Sequence, residues 1–486
     1  MKPWVHGAGC STWTLFAGGA GARGFSRIGV RRIGAEGLGP GGWGGLFRDE
    51  VSPWNDVGAT IHGPVSAGRE KDTCMGIIVQ KYGGTSVDGV SRLKAVARKI
   101  VETRRAGHSV VAVVSAMGKT TDALLELARE ISPDPPRREL DMLLSTGERR
   151  SIALLAMAIH ALGEEAVSLT GSQSAIITND SHVNARIIEV RPYRIQDELE
   201  KGRIVIVAGY QGVSYRREIT TLGRGGTDTT AIALAAALGA DQCDIYSDVD
   251  GIYSGDPVVV SSAEKIDALS YEEMQELARH GARVLNAQAV EFARRHRIAV
   301  YAKAAFSEGE GTRVERRDGL LDESLRRLRA FGVQSVTGRE DVIRVRNRSG
   351  VALERGTCRA VLDALRAHEM LTARVDPVDG RLDILLITEN LADVDGVIAS
   401  LERRFGAEIE VISSIGVAAA VGLGVGDAPG ALEMALEVLD RAGIPVVGAV
   451  TAREAITVMV SSNHVRSAIE ALHRAFVEER RSDGKG

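Results

Sequence analysis

Cysteine is scarce in this chain: Cys10, Cys74, Cys243 and Cys358 are the only four in 486 residues, and they stand far apart. None pairs at Cys-x-x-Cys spacing. That excludes a zinc ribbon or a disulfide scaffold and fits a reducing compartment. A long apolar run is also lacking. The best candidate, residues 151–162, contains His160 and falls short of the ~20 residues a membrane span needs. Nor does one charge dominate. The 60 Lys and Arg against 64 Asp and Glu leave a net charge of −4, so nothing points to a nucleic acid partner. Two nucleotide signatures are incomplete. Gly118-Lys119-Thr120 ends like a P-loop, but Val113 stands where its first glycine belongs. Gly424-Val425-Gly426 opens like a dinucleotide fingerprint, but its third glycine would fall on Pro429.

What is present is centred on residues 220–253. The loop Gly223-Arg224-Gly225-Gly226-Thr227-Asp228 runs into an Ala/Leu-rich helix predicted over 227–238, then a strand at 243–246. The strand ends in an acidic turn, Ser247-Asp248-Val249-Asp250-Gly251. Glycines let the backbone approach an anion, and a helix N-terminus points free N–H groups and a positive dipole end at the same place. Arg224 has a fork suited to carboxylate or phosphate. Taken alone, the loop also reads as a plain turn before a helix, and Asp248 and Asp250 as turn formers through Asx bonds.

The length suits roughly three domains of about 150 residues, and 44% hydrophobic residues suit a globular chain. Residues 1–74 differ from the rest. They hold all four tryptophans, are glycine-dense, and carry Glu36 as the only acid before Asp49. They are expected to be a leader: disordered, a transit peptide, or a stretch upstream of a true start at Met75. From 75 to about 315, strand, loop and helix alternate. Strands are expected at 76–80, 109–114, 165–169, 203–208, 243–246 and 298–301, with helices over 87–106 and 139–162, the latter broken at 145–148. This is the pattern of a three-layer α/β domain. Residues 307–312 read as a linker. Beyond it, 330–410 and 411–481 each read as a βαββαβ ferredoxin-like unit. The second carries a glycine-opened loop at Asp427-Ala428-Pro429-Gly430.

Five motifs then agree in order and spacing: Lys81-Tyr82-Gly83-Gly84-Thr85-Ser86, Ser145-Thr146-Gly147-Glu148, Gly209-Tyr210-Gln211-Gly212, the 221–228 glycine loop and Ser247-Asp248-Val249-Asp250-Gly251-Ile252-Tyr253. Together they resemble the aspartate kinases of the amino acid kinase superfamily, and the C-terminal repeats resemble that family's tandem ACT domains. The resemblance implies transfer of the ATP γ-phosphoryl group to the side-chain carboxylate of L-aspartate, the step that opens lysine, threonine and methionine synthesis. It implies Lys81 and Asp228 as catalytic groups, and Glu148, Arg224, Thr227 and Ser115 around the substrate. Lys81, Gly83, Gly84, Ser247, Asp248, Tyr253, Asp256 and Arg283 would line the nucleotide. Mg²⁺ would come with ATP, held by phosphates and water rather than by protein side chains. Phosphoryl transfer asks mainly for positioning and charge neutralisation, which these residue types supply.

Each residue also has a plainer reading: Lys81 a solvated strand end, Glu148 a helix cap, Arg283 a surface charge. Other expectations follow from the resemblance: a homo-oligomer paired through the ACT-like units, no membrane, a cytoplasmic location, and feedback by lysine or threonine through Asp427, Ala428, Pro429 and Gly430. The chain departs from the family at Asn286 and Lys303, close to the expected nucleotide pocket or to the approach to the regulatory domain. It also departs at Val351-Ala352-Leu353-Glu354-Arg355-Gly356-Thr357, where an Asp/Pro/Gly loop is usual. The alternatives are a sister kinase acting on another carboxylate, or a sensor built on a silent kinase fold. The tandem tail argues against the first, and the presence of Lys81, Glu148, Arg224 and Asp228 against the second.

Overall fold

The computed structural model describes residues 60–61, 75–223, 225–316, 330–366, 368, 370–376, 378–389, 391 and 393–479. Of the leader expected at 1–74, all but Thr60 and Ile61 lies outside the described residues.

The valine-rich runs form the centre of an eight-stranded sheet. From edge to edge its strands are Ala268–Ser270, Thr312–Glu315, Val300–Ala304, Gln242–Ser247, Met75–Tyr82, His108–Val114, Ile204–Ala208 and Ala166–Leu169. The five from 300–304 through 204–208 run parallel as neighbours, as does 166–169. Central parallel strands are covered on both faces, so both sets of alternating side chains must be apolar. Val111 and Val113 point to one face with Val79, Val205, Val207 and Ile245. There they meet the helices α6 (Gly226–Leu238) and α8 (Ala287–His296). Val110, Ala112 and Val114 point to the other with Ile204 and Ile206, against α1 (Val90–Arg105) and α4 (Thr146–His160). The expected three layers follow from this alternation. In chain order α2 (Thr120–Ile131) and α3 (Arg137–Leu144) come between α1 and α4. A second small sheet, Thr60–Ile61, Ile187–Val190, Ile176–Thr178, Gln211–Ser214 and Ile219–Thr221, was not expected, because its strands are short and half polar.

The C-terminal part forms one six-stranded sheet in the order Met370–Asp376, Arg381–Ile387, Val333–Asn347, Ile409–Gly422, Ala455–Ser461, Gly448–Ala452. Its two ferredoxin-like units interlock. The second half of Val333–Asn347 pairs with Arg381–Ile387 and with the start of Ile409–Gly422. The first half, Val333 to Arg339, pairs with Val417 to Gly422. Residues 333–339 therefore supply the fourth strand of the C-terminal unit, so a serial cut into 330–410 and 411–481 does not follow the sheet. The strand expected at 444–449 begins instead at Gly448, since Pro445 has no N–H for the ladder.

Candidate active site

The parallel strands 242–247, 75–82, 108–114 and 204–208 end side by side, where α/β sheets place their ligands. Their following loops are tied together through the backbone. Ser115 N–H donates to Tyr82 O at 3.1 Å, Gly209 N–H to Val114 O at 3.0 Å, and Gly83 N–H to Tyr246 O at 3.4 Å. Lys81 is the penultimate residue of its strand. Its ammonium lies 2.6 Å from Asp228 Oδ1, each side chain 12% exposed. Asp228 sits in the first turn of α6, where the helix dipole favours a carboxylate. One residue earlier, the Thr227 hydroxyl accepts from Ser115 Oγ at 2.9 Å. Gly225, the N-cap residue just before the helix, has φ +69; a Cβ there would come within 2.4 Å of the Asn286 side chain, so glycine is required twice over. Arg224 lies outside the described residues.

Glu148, in the first turn of α4, is 2% exposed. Its Oε1 accepts Ala116 N–H at 3.0 Å, while Oε2 has no partner among the described residues. Burial pushes its carboxyl from the ordinary 4.5 up to about 7. A cationic ligand group is what such an oxygen lacks. Beyond the strand 242–247, Ser247 Oγ accepts Val249 N–H at 3.3 Å and the Tyr253 hydroxyl donates to Asp250 at 2.7 Å. Asp256 caps the next turn through Val258 N–H at 2.9 Å. Arg283 lies in the loop between α7 (Tyr271–Arg279) and α8.

Every residue expected at the catalytic, substrate and nucleotide positions, apart from Arg224, lines one open cleft of about 1490 Å³: Lys81, Gly83, Gly84, Ser115, Glu148, Thr227, Asp228, Ser247, Asp248, Tyr253, Asp256 and Arg283. Asp427, Ala428 and Gly430 lie elsewhere, in the turn that opens α11 (Ala431–Arg441). Of the two departures, Asn286 lines the cleft and caps α8 by accepting from Gln288 N–H at 2.9 Å. Lys303, on the strand 300–304, turns its ammonium to the neighbouring strand, 2.8 Å from Asp244 Oδ1. Tyr210 was missed as a site residue. It lines the cleft with φ +66 against Gly226, and an aromatic residue between glycines in a motif was the available signal.

Residues 76–302 match the amino acid kinase family. The aspartokinase of Mycolicibacterium smegmatis is 42% identical over 414 residues, covering 83% of this chain and 96% of that protein. The chain belongs to the aspartokinases. It is a phosphotransferase that uses ATP to phosphorylate aspartate. Its fold agrees with that of E. coli aspartokinase III. The solved complex of that aspartokinase with aspartate and ADP superposes at a TM-score of 0.70, and its complex with lysine and aspartate at 0.64. These structures are 22% and 23% identical to the chain, and each covers 83% of this aspartokinase and 100% of the solved one. No helix among the described residues of this aspartokinase is long and apolar enough to cross a membrane.

Proposed function

We propose that the cleft binds ATP across Gly83, Gly84 and the loop from Ser247 to Asp256, and binds L-aspartate between Glu148 and the glycine loop. The observation that carries this reading is the Lys81–Asp228 pair at the start of α6, set between those two regions. Glu148 receives the substrate α-ammonium; Arg224, assigned from its place in the motif, forks onto the α-carboxylate. A β-carboxylate oxygen then attacks the γ-phosphorus in line, the bond to the β,γ-bridging oxygen breaks, and ADP leaves with that electron pair. Lys81 neutralises the charge that builds on the transferring group. Asp228 holds Lys81 in place, and Ser115 orients Thr227 toward the substrate. Among the described residues no three carboxylate, imidazole or thiol groups converge as a metal cage. Mg²⁺ would come with ATP, held by phosphates and waters, and would screen the phosphate charge. Lys81→Ala and Asp228→Ala are expected to lower kcat by about 10²–10³-fold, the order seen when one charge-stabilising group is removed, with circular dichroism unchanged. Aspartate-dependent hydroxamate formation at the parent rate in either folded variant would remove that assignment.

Regulation is proposed through the interlocked sheet. The turn at Asp427, Ala428, Pro429 and Gly430 opens α11 against Arg453, to whose carbonyl Gly426 N–H donates at 3.2 Å. Lysine, bound by the E. coli relative, and threonine are the proposed effectors. Strands Met370–Asp376 and Gly448–Ala452 are the sheet edges, through which a homo-oligomer would extend. A reducing, cytoplasmic setting suits the buried thiols Cys243 and Cys358.

A further inference from the structure

Asp141 on α3 is fully buried, and no lysine or arginine pairs with it among the described residues. Three donors from two other segments satisfy its carboxylate instead. Thr221 Oγ1 donates to Oδ1 at 2.6 Å, Val183 N–H donates to Oδ1 at 3.0 Å, and His182 Nδ1 lies 2.6 Å from Oδ2. Thr221 ends the strand that leads into the glycine loop. Its carbonyl in turn accepts Ala185 N–H at 2.8 Å. The turn carrying His182 and Val183 is strained: Val183, a β-branched residue, has φ +70. The following Asn184 is packed so closely on Gly223 that a Cβ at Gly223 would stand 2.9 Å from its side-chain oxygen. One turn further along the same chain segment, Ser145 N–H donates to Asp141 O at 3.1 Å and Ser145 leads into the turn that bears Glu148. Gln211 Nε2 closes the group by donating to Ser145 O at 3.0 Å.

We propose that Asp141 is a positioning residue for the amino-acid end of the reaction. Its buried carboxylate sets the glycine loop, through Thr221 and the 182–184 turn, at a fixed distance from Glu148. The inference rests on the reading that Glu148 and the glycine loop hold the amino-acid substrate. A carboxylate suits the task because it accepts on both oxygens and offers no donor that would repel a hydroxyl or N–H. An amide of the same shape presents an NH₂ either to one of the donors on Oδ1, in which case the loop must shift, or to His182, which must then turn its other tautomer toward it. A shift of a few tenths of an ångström between two substrate-gripping elements weakens aspartate binding and leaves ATP, held across the sheet ends, untouched.

The test is steady-state kinetics of the full chain with aspartate and ATP varied separately. Asp141→Asn and Thr221→Val are expected to raise KM for aspartate at least tenfold while KM for ATP stays within twofold, and Thr221→Ser, which keeps the hydroxyl, is expected to return it to the parent value. The double variant Asp141→Asn/Thr221→Val is expected to be no worse than the worse single change, since both break one link. If Asp141→Asn fails to fold, the isosteric Thr221→Val decides. A folded Thr221→Val whose aspartate KM stays within twofold of parent, or whose two KM values rise equally, overturns the proposal. Glu148→Gln is the control: an unchanged aspartate KM there overturns the underlying reading and the inference with it, whereas a raised one beside an inert Thr221→Val overturns the inference alone.

Discussion

Glu148 is an acid of the cleft whose chemistry its surroundings alter. Desolvation raises its folded-state pKa to about 7. For an acid shifted upward, the folded protein holds its proton longer than the unfolded chain. The stability contributed is therefore complete below the ordinary carboxylate range and is lost as pH rises toward 7. At about 1.36 kcal/mol per unit, that loss is on the order of 3 kcal/mol. The same shift governs substrate. In the proposed site the ammonium of aspartate needs the Glu148 carboxylate, so below pH 7 binding must first expel a proton. KM for aspartate is expected to rise about tenfold for each pH unit below 7 and to be flat above it. Glu148→Gln should abolish that slope. Calorimetry near pH 7 in buffers of different ionisation enthalpy should record proton release on aspartate binding; a buffer-independent heat would count against the ion pair.

At the scale of elements, α6 and α8 meet through Gly225 and Asn286. The cap on α8 is a side-chain oxygen accepting two backbone N–H groups, from Gln288 and Ala289. Asn286→Ala removes it and should cost about 1 kcal/mol, readable as a shift in denaturant midpoint. Gly225→Ala meets both a left-handed backbone and the Asn286 side chain, so a larger loss is expected there. The pair Gly225→Ala/Asn286→Ala relieves the clash but not the φ, and should recover part of the stability lost by Gly225→Ala. No recovery would mean that the backbone angle dominates.

At the scale of the whole molecule, the C-terminal sheet touches both loops that border the proposed nucleotide region. Ser335 Oγ donates to Tyr253 O at 2.9 Å and Val336 N–H to Ser254 O at 2.8 Å. Arg339, 8% exposed, donates to Arg279 O at 2.8 Å while forking onto Asp341. Two buried histidines cross the same seam, His280 to Thr457 at 2.8 Å and His473 to Ser254 at 2.9 Å. A ligand that moves these strands has a direct mechanical route to the nucleotide loops. His280 is held below its ordinary range first by burial, opposed by the neighbouring Glu276 carboxylate and aided by Arg279 and Arg339. A depressed histidine contributes stability that is present above about pH 6.5 and lost as pH falls through the folded value. His280→Gln should therefore flatten the decline of the denaturation midpoint below pH 6.5; an unaltered slope would place the sensitivity elsewhere. Lysine or threonine at millimolar concentration should inhibit the parent enzyme, and Arg339→Ala should weaken that inhibition with basal turnover read in parallel. Indifference of the parent to both would point to the rewritten 351–357 loop as the site of altered sensing.

Much of this was legible in the chain itself. Valine runs such as 110–114 dictated buried parallel strands, because alternation and apolarity are local properties. Lys81, Glu148, Thr227 and Asp228 stood out through the motifs the chain shares with the aspartate kinases, and the fold brings all four to one cleft. Other features were decided only in three dimensions. Asp141 looks like any acid on a helix until Thr221, 80 residues later, is folded against it. The Lys303–Asp244 pair was set by strand pairing, which no local pattern encodes. The exchange of residues 333–339 into the C-terminal unit arises because a 15-residue strand is long enough to serve two units at once. Local propensity determines that such a strand forms; only the competition among partners across the sheet determines whose edge it completes.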